Sequence, residues 1–542
     1  MLLVANPEAQ THLYTHYGDK AGQWFGGSVA IVGDTDRDGF DDYATTSEWY
    51  PPSASGGDAV RLYSGRDGHL IGKVPLPGPG SATSVSGLGD MDSDGHADFG
   101  ILINTTVLIG YQFHSGKTMQ MIAKGSWPLS LQNGKIRPIA DLDHDNIPDV
   151  IISSSEYSNS DRVVIVSGKS GKIILDLKPG GLNYTYFGHS VSRAGDVNGD
   201  GIEDFLVGDP LFGSNPTYNF YGPGRAWLFS GANGGVIYTF WDTTYKLPSP
   251  SPGFGSSVCG CGDLDGDKVP DLAIGCPGFD GNGTDAGAVF IYSGKTGNLY
   301  RTLHGPVAGS YLGWSGANVG DWNRDGYPDL ACGGQTFLPG NQAAGVVRVI
   351  SGKDGKEFAT IVDDKVDMGL GSCLNADGDI DGDGVRDLVA GLSPASWASN
   401  NLWYFKCYSG AGRSLWSDTH RVSVAAQDMQ VLTLEAGAGQ AGNPYLVLGS
   451  LAGINPGLQL GTHLLPLNLD PYLVWTATVP NSPFLQGSLG LLDAKGTAKI
   501  QFVAGAGFPA GLAGLRMDHA AVVFGNTGIA TVSDWVPLLL EK

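Results

Sequence analysis

Short apolar stretches recur along the chain in groups of four, and one burst of aspartates interrupts each group at the same point. The first stretch is typified by "FGGSVAIVG" (25–33), "FGHSVSRAG" (187–195) and "FGSSVCGCG" (254–262). The second starts inside the aspartates, as in "DFLVGDP" (204–210), "DLAIGCP" (271–277) and "DLVAGL" (387–392). A third ends in a Ser-Gly turn: "VRLYSG" (60–65), "VVIVSG" (163–168), "AVFIYSG" (288–294) and "VVRVISG" (346–352). A fourth follows directly, as in "GKIILDL" (171–177) and "GNLYRTL" (297–303). Runs this short, rich in β-branched and aromatic residues and bounded by Gly, Asp and Ser, read as strands, and no helical period lies between them. Seven copies of a four-strand antiparallel unit predict an all-β chain built on a seven-bladed β-propeller.

A propeller must close its ring. Residues 11–28, "THLYTHYGDKAGQWFGGS", are similar to "LYRTLHGPVAGSYLGWSG" (299–316), which leads from one unit's fourth strand to the next unit's first. The segment 10–17 therefore reads as a fourth strand without a blade of its own, suited to the last blade; "GRSLWSD" (412–418) could take the same place. After residue 420 the aspartate bursts stop. The segments "QVLTLEA" (430–436), "PYLVLGS" (444–450), "THLLPLNLD" (462–470), "YLVWTAT" (472–478), "TAKIQFVA" (497–504) and "HAAVVFG" (519–525) read as strands. They predict a separate β-sandwich over 421–542, behind a propeller over 1–420.

The aspartates dominate the charge. The chain of 542 residues carries a formal charge of −22, and nearly half of its 54 acidic residues lie at the first, third, fifth or ninth place of seven bursts. The bursts begin at Asp34, Asp90, Asp141, Asp196, Asp263, Asp321 and Asp379, as "DTDRDGFDD", "DMDSDGHAD", "DLDHDNIPD", "DVNGDGIED", "DLDGDKVPD", "DWNRDGYPD" and "DIDGDGVRD". Such acidity makes nucleic acid an unsuitable partner. Seven divalent cations would cancel most of it. Calcium takes six to eight oxygens at about 2.3–2.6 Å, and a tight loop with carboxylates at places 1, 3 and 5 turns all three inward. Glycine at place 6 permits the bend, place 7 offers its carbonyl and place 9 closes the shell.

The ligand sets expected for about seven structural Ca²⁺ follow. They are Asp34, Asp36, Asp38, Phe40 and Asp42; Asp90, Asp92, Asp94, His96 and Asp98; and Asp141, Asp143, Asp145, Ile147 and Asp149. The middle pair is Asp196, Asn198, Asp200, Ile202 and Asp204, then Asp263, Asp265, Asp267, Val269 and Asp271. The last two are Asp321, Asn323, Asp325, Tyr327 and Asp329, then Asp379, Asp381, Asp383, Val385 and Asp387. EF-hands and dockerins are excluded, because both need an acid at place 12 and a flanking helix. Place 12 here is Thr45, Ile101, Ile152, Val207, Ile274, Cys332 or Ala390, inside predicted strands. Asn146 and Lys268 replace the place-6 glycine; Asn tolerates a left-handed backbone, whereas Lys costs about 1 kcal/mol and strains the fifth site.

These units resemble FG-GAP repeats, the blades of the integrin α-subunit propeller and of many secreted bacterial proteins. The resemblance spans roughly residues 10–420, with Leu312-Gly313 and Leu370-Gly371 replacing Phe-Gly in two copies and no such pair in "SATSVSG" or "NGKIRPIA". The tail resembles, less specifically, sandwich domains appended to secreted bacterial repeat proteins. The resemblance implies an extracellular recognition or adhesion protein.

Strand order puts the calcium loops and Ser-Gly turns on one face and the long loops on the other. The long loops carry Trp49, Tyr50, Phe212, Tyr218, Phe220, Tyr221, Trp241, Phe337 and Trp397. Two readings stand: a surface for a protein or glycan ligand, or loops that pack on each other. Neither H-E-x-x-H, G-x-S-x-G nor a P-loop is present. A carbohydrate-active lyase or hydrolase at the channel mouth needs no linear motif and remains an alternative, as does a subunit of a cell-surface assembly that self-associates or anchors through its tail. No apolar run approaches a transmembrane span, and no signal peptide is visible at "MLLVANPEAQ". Weak calcium sites fill at extracellular calcium levels, so the expected location is extracellular or the cell surface. The six cysteines read as buried hydrophobes, with Cys259–Cys276 the best candidate for a disulfide.

Overall fold

The computed structural model describes residues 12–541 except 20–22, 50–58, 77–79, 106–108, 127–133, 156–160, 179–184, 213–222, 242–252, 324, 339–341, 363–368, 383, 393–402, 411–414, 418–420, 425–428, 437–439, 453–457, 461–462, 466, 495, 505–514 and 526–527. Contacts divide the chain into one unit over His12–Gly410 and a second over Ala411–Lys542.

The first unit is a seven-bladed propeller. Its seven sheets have four antiparallel strands each, hydrogen-bonded in chain order in six of them. Blade four is typical: Ser190–Gly195, Asp204–Asp209, Arg225–Phe229 and Val236–Phe240. The second and third units, which lack the Phe-Gly pair, form blades of the same order. The seventh sheet breaks chain order. Its strands Leu370–Asn375, Leu388–Leu392 and Tyr404–Tyr408 are completed by the N-terminal strand His12–Tyr17, with His16 opposite Phe405 and Tyr17 opposite Tyr404. The competing segment Leu415–Ser417 pairs instead with Met429–Glu435 in the second unit.

Both faces of each blade are apolar because each packs on a neighbour. Ala30, Val32 and Leu62 of blade one meet Val85, Phe99 and Ile101 of blade two in one buried cluster. The same arrangement joins blades two and three, three and four, four and five, and five and six. Phe25, Ile31 and Tyr43 of blade one pack on Val389, Phe405 and Cys407 of blade seven, so the ring is closed by core as well as by hydrogen bonds.

The Phe-Gly pair now has a physical reason. Phe25, Phe187, Phe254, Leu312 and Leu370 are all buried, so Leu serves where the side chain only has to fill the space between blades. The following Gly255 and Gly313 have φ of 90° and 91°, and a Cβ on either would lie 2.5 Å from a carbonyl oxygen of the preceding blade, Arg225 and Ala288 respectively.

The second unit is a β-sandwich. One sheet orders Leu415–Ser417, Met429–Glu435, Thr497–Val503 and Leu485–Gln486. The other orders Arg421–Ser423, Gly528–Glu541, Arg516–Gly525, Pro444–Ser450 and Leu489–Leu491. Leu432, Leu434, Ile500 and Phe502 of the first face Val447, Met517, Val523 and Leu538 of the second in a common core. One expectation fails here: 472–478 is not a strand but the helix Pro471–Thr478. Asp470 caps it by accepting from the Leu473 N–H at 2.7 Å, and Pro471 fits the first turn, where no N–H is needed. Leu473 then packs on Leu448, Leu465 and Val522.

The closing strand carries an ionisable group inside its aromatic core. The His16 ring lies 4.1 Å from Tyr63 and 5.1 Å from Phe405 between ring centroids, and its Nε2 is 2.7 Å from the Tyr43 hydroxyl. Burial pushes its pKa down from 6.5 to about 4. The unfolded chain therefore binds this proton more readily, so stability is complete above pH 6.5 and falls as pH drops towards 4, by at most about 3 kcal/mol. His16→Phe is expected to shrink the difference in melting temperature between pH 7 and pH 4.5; an unchanged difference would show that His16 does not titrate on unfolding.

Candidate metal centres

Each aspartate burst forms the loop between the first and second strands of its blade. The place-1 carboxylate organises it. In the first loop Asp34 Oδ1 accepts from the Asp38 N–H at 3.0 Å and Oδ2 from the Gly39 N–H at 3.0 Å. The same pair of bonds forms at Asp90, Asp141, Asp196, Asp263 and Asp321. At place 5, Oδ1 accepts from the place-7 N–H, as in Ile202 to Asp200 at 2.9 Å.

The tight bend uses left-handed backbone twice. Place 6 has φ near 90° at Gly39 and Gly326, and 71° at both Asn146 and Lys268. Place 4 is left-handed as well, at Gly199, Gly266 and Gly382 but also at Arg37, Ser93 and His144. The second requirement escaped the sequence reading, although glycine at three of the seven fourth places signals it.

The outcome is convergence. Ligand oxygens of Asp34, Asp36 and Asp42 lie within 4.8 Å of one another, as do those of Asp141, Asp143 and Asp149; Asp263, Asp265 and Asp271; and Asp379, Asp381 and Asp387. In the second loop the three are Asp90, Asp92 and Asp94. Three hard oxygens at that separation suit a divalent cation of calcium type. The fourth and sixth loops have Asn198 and Asn323 at place 3, and no group of three carboxylates forms there among the described residues. The Asn198 amide donates to Asp200 at 2.9 Å. Asp383 lies outside the described residues.

Place 9 does more than close a shell. Asp42, Asp98, Asp149, Asp204, Asp271, Asp329 and Asp387 are all 0% exposed. In every blade the Oδ1 of this aspartate accepts from the glycine N–H of the Ser-Gly turn, at Gly65, Gly116, Gly168, Gly231, Gly294, Gly352 and Gly410, over 2.8–3.2 Å. Its Oδ2 accepts from the place-2 N–H in six loops, as from Val197 at 2.9 Å and Leu264 at 2.8 Å. A Cβ on the turn glycine would lie about 2 Å from the place-8 carbonyl oxygen in each blade, for example 2.0 Å from Glu203 at Gly231. The Ser-Gly turn is thus the far jaw of a clamp. Burial pushes Asp42 up to about 8 and Asp98, Asp149, Asp271 and Asp329 to about 6, against the backbone donors that favour the ionised form. A bound cation would hold them charged.

Two further contributors were missed. The residue after Ser-Gly is basic in five blades, and Arg66, Lys117 and Lys295 stand 3.9, 3.5 and 3.9 Å from the place-5 carboxylates. Lys169 and Lys353 donate to the place-5 carbonyls at 3.0 and 3.2 Å. Adjacent loops are also joined. The Ala97 N–H donates to the Asp34 carbonyl, the Asp41 N–H to that of Asp379, and the Arg37 Nε to Gly95 at 2.6 Å. His96 is tied in as well, with Nδ1 2.7 Å from the Thr35 carbonyl oxygen.

Of the nine aromatics on the long loops, the side chains of Phe212 and Trp241 are described; those of Trp49, Tyr50, Tyr218, Phe220, Tyr221, Phe337 and Trp397 lie outside the described residues. Phe212 stacks on the Arg225 guanidinium at 3.7 Å, and Trp241, 46% exposed, approaches the same group at 5.3 Å. The cysteines are all free.

The two roles of the carboxylates can be separated. Asp204→Ala leaves the Gly231 and Val197 N–H groups buried without partners, costing about 3 kcal/mol with or without calcium. Asp200→Ala should lower the melting temperature in calcium and barely change it in chelator. Equal behaviour of the two variants in chelator would remove the distinction.

The FG-GAP repeat family model matches residues 187–229 and 254–292, which are blades four and five. Integrin alpha-5 of Xenopus laevis is 35% identical over 28% of this chain and 15% of its own length. Integrin alpha-4 of the same organism is 28% identical over 34% and 18%, and integrin alpha-IIb of Homo sapiens 34% identical over 28% and 15%. The matches thus span less than a fifth of these relatives. A solved structure of BBS1N in complex with ARL6DN, soaked with lead, overlays 74% of this chain and 97% of its own with a TM-score of 0.42 and 10% identity, too weak a likeness to bear on the argument. The repeat match and the likeness to integrin alpha chains agree: the chain is an integrin α-like FG-GAP repeat protein.

Proposed function

We propose that the chain is an extracellular recognition or adhesion protein whose propeller is stabilised by Ca²⁺ in its seven blade loops and binds a protein or glycan through the opposite, aromatic face. The observation that carries this reading is the division of labour between the two ends of the blades. At one end, carboxylates converge to 4.8 Å on a backbone locked by the place-9 clamp. At the other, long loops offer aromatic side chains such as Trp241 beside Arg225. The integrin alpha relatives support a recognition role. No helix among the described residues is long and apolar enough to cross a membrane.

Calcium is the fitting cation because the donors are all oxygen and the geometry is loose. A site whose dissociation constant is tenfold below ambient calcium adds about 1.4 kcal/mol, so seven add on the order of 10 kcal/mol. That is comparable to the stability of a whole domain.

Calorimetric titration of chelator-stripped protein should find close to seven equivalents, and two or fewer would count against the reading. The fifth site is expected to be the weakest because Lys268 adopts φ 71°. Lys268→Gly should therefore raise stability by about 1 kcal/mol, measured by denaturant unfolding in calcium. For the ligand, a glycan and surface-protein array probed with and without calcium is the direct test. Replacing Trp49, Trp241 and Trp397 by alanine should abolish binding and leave melting unchanged. Binding that survives the triple replacement, or that resides in the isolated tail, would reject the aromatic face; glycan cleavage would favour the enzyme alternative.

A further inference from the structure

The ring encloses a central cavity of about 1120 Å³. Its fixed charges among the described residues are Lys135, Arg137, Arg193, Arg386, Glu203 and Asp377. A basic excess here runs against a chain of net charge −22. Both acids are already engaged: Glu203 accepts from the Ala140 N–H at 2.8 Å, while Asp377 faces Arg193 at 3.5 Å and accepts from the Asn375 amide at 2.7 Å. Arg386 donates to the Asn318 carbonyl at 3.4 Å.

Lys135 and Arg137 have no such balance. They flank Ile136, whose side chain is buried between blades two and three. By strand alternation both project to the other side, the side on which Ile139 meets Phe187 and Val191 of blade four. There His189 stands just before the blade's first strand, lining the same cavity. Lys135 has no carboxylate partner among the described residues, and Arg137 commits one N–H to the Ile136 carbonyl at 3.0 Å. His189 Nδ1 is shut off from solvent without a hydrogen-bond partner. Burial and then Lys135 hold His189 down at about 4, so the ring is neutral, and burial pushes Lys135 below its ordinary value. A desolvated ammonium with no counter-charge is costly, and an anion taken from solution is the simplest relief.

We propose that Lys135, Arg137 and His189 form a binding site for a small oxyanion, a carboxylate- or sulfate-type group, inside the propeller channel. The guanidinium forks onto two oxygens, the ammonium supplies a point charge, and the imidazole adds a neutral polar contact. The volume admits an acidic sugar or a comparable solute. The site does not rest on the aromatic face, and either can fail alone.

The test uses the full chain in calcium, titrated calorimetrically with sulfate and, separately, with glucuronate. At least one should bind once per chain, the first identifying a tetrahedral anion and the second a carboxylate. Lys135→Met and Arg137→Met should each weaken binding by at least about tenfold. As a measure independent of heat signals, the bound anion should raise the melting temperature of the natural chain and not that of Lys135→Met, which should itself melt higher without anion. No binding of either probe at about 10 mM, or binding indifferent to both substitutions, would overturn the proposal.

Discussion

Every blade depends on one buried carboxylate at the head of its second strand. A charge removed from water is tolerable only if its lone pairs are taken, and here the partners are backbone N–H groups on both sides. One comes from the aspartate loop, the other from the glycine turn between the third and fourth strands. Satisfying both draws the two hairpins of a blade together at the same end. The glycine is needed because the place-8 carbonyl lies where a Cβ would be. The carboxylates at places 1 and 3 then converge on a frame already fixed by this clamp. A cation held there would add to a structure it does not have to create.

The ring repeats this logic at a larger scale. Each blade has two apolar faces and cannot bury either alone, so the clusters always draw on two successive blades. Between blades seven and one the cluster is the most aromatic, with Tyr43, Tyr63 and Phe405 around His16. That joint also carries the strand pairing that closes the circle and a hydrogen bond from the Tyr14 hydroxyl to the Gly65 carbonyl at 3.1 Å. The place where the chain could most readily open is thus held by core, strand pairing and a side-chain hydrogen bond together.

Much of this was legible in the sequence because the repeat shows the same choice seven times. Strand order, the loops and their face followed from spacing alone. The clamp did not, since an aspartate at place 9 looks the same whether it meets a cation or a glycine N–H twenty residues away. The helix Pro471–Thr478 was misread because "YLVWTAT" is rich in β-branched and aromatic residues, while its capping aspartate and proline carried the deciding signal. The strand Gly528–Glu541 was passed over; Pro537 lies within it, opposite Asp518. The channel was expected, but its charged lining was not legible, for another reason. Lys135, His189 and Asp377 are far apart in sequence, and only closure of the ring brings them to one cavity.

The pairing of His12–Tyr17 with Tyr404–Tyr408 also imposes an order of events on synthesis. The strand made first waits for nearly 400 residues before its partner exists. At ribosomal speeds that interval is roughly 20–80 s, long compared with hairpin formation in microseconds. For that time six blades can assemble while blade one exposes the side meant for Phe405, and the strand His12–Tyr17 keeps an unpaired edge. The nascent protein is an open arc with two adhesive ends, and its hazard is to meet the complementary end of a neighbour on the same messenger before its own.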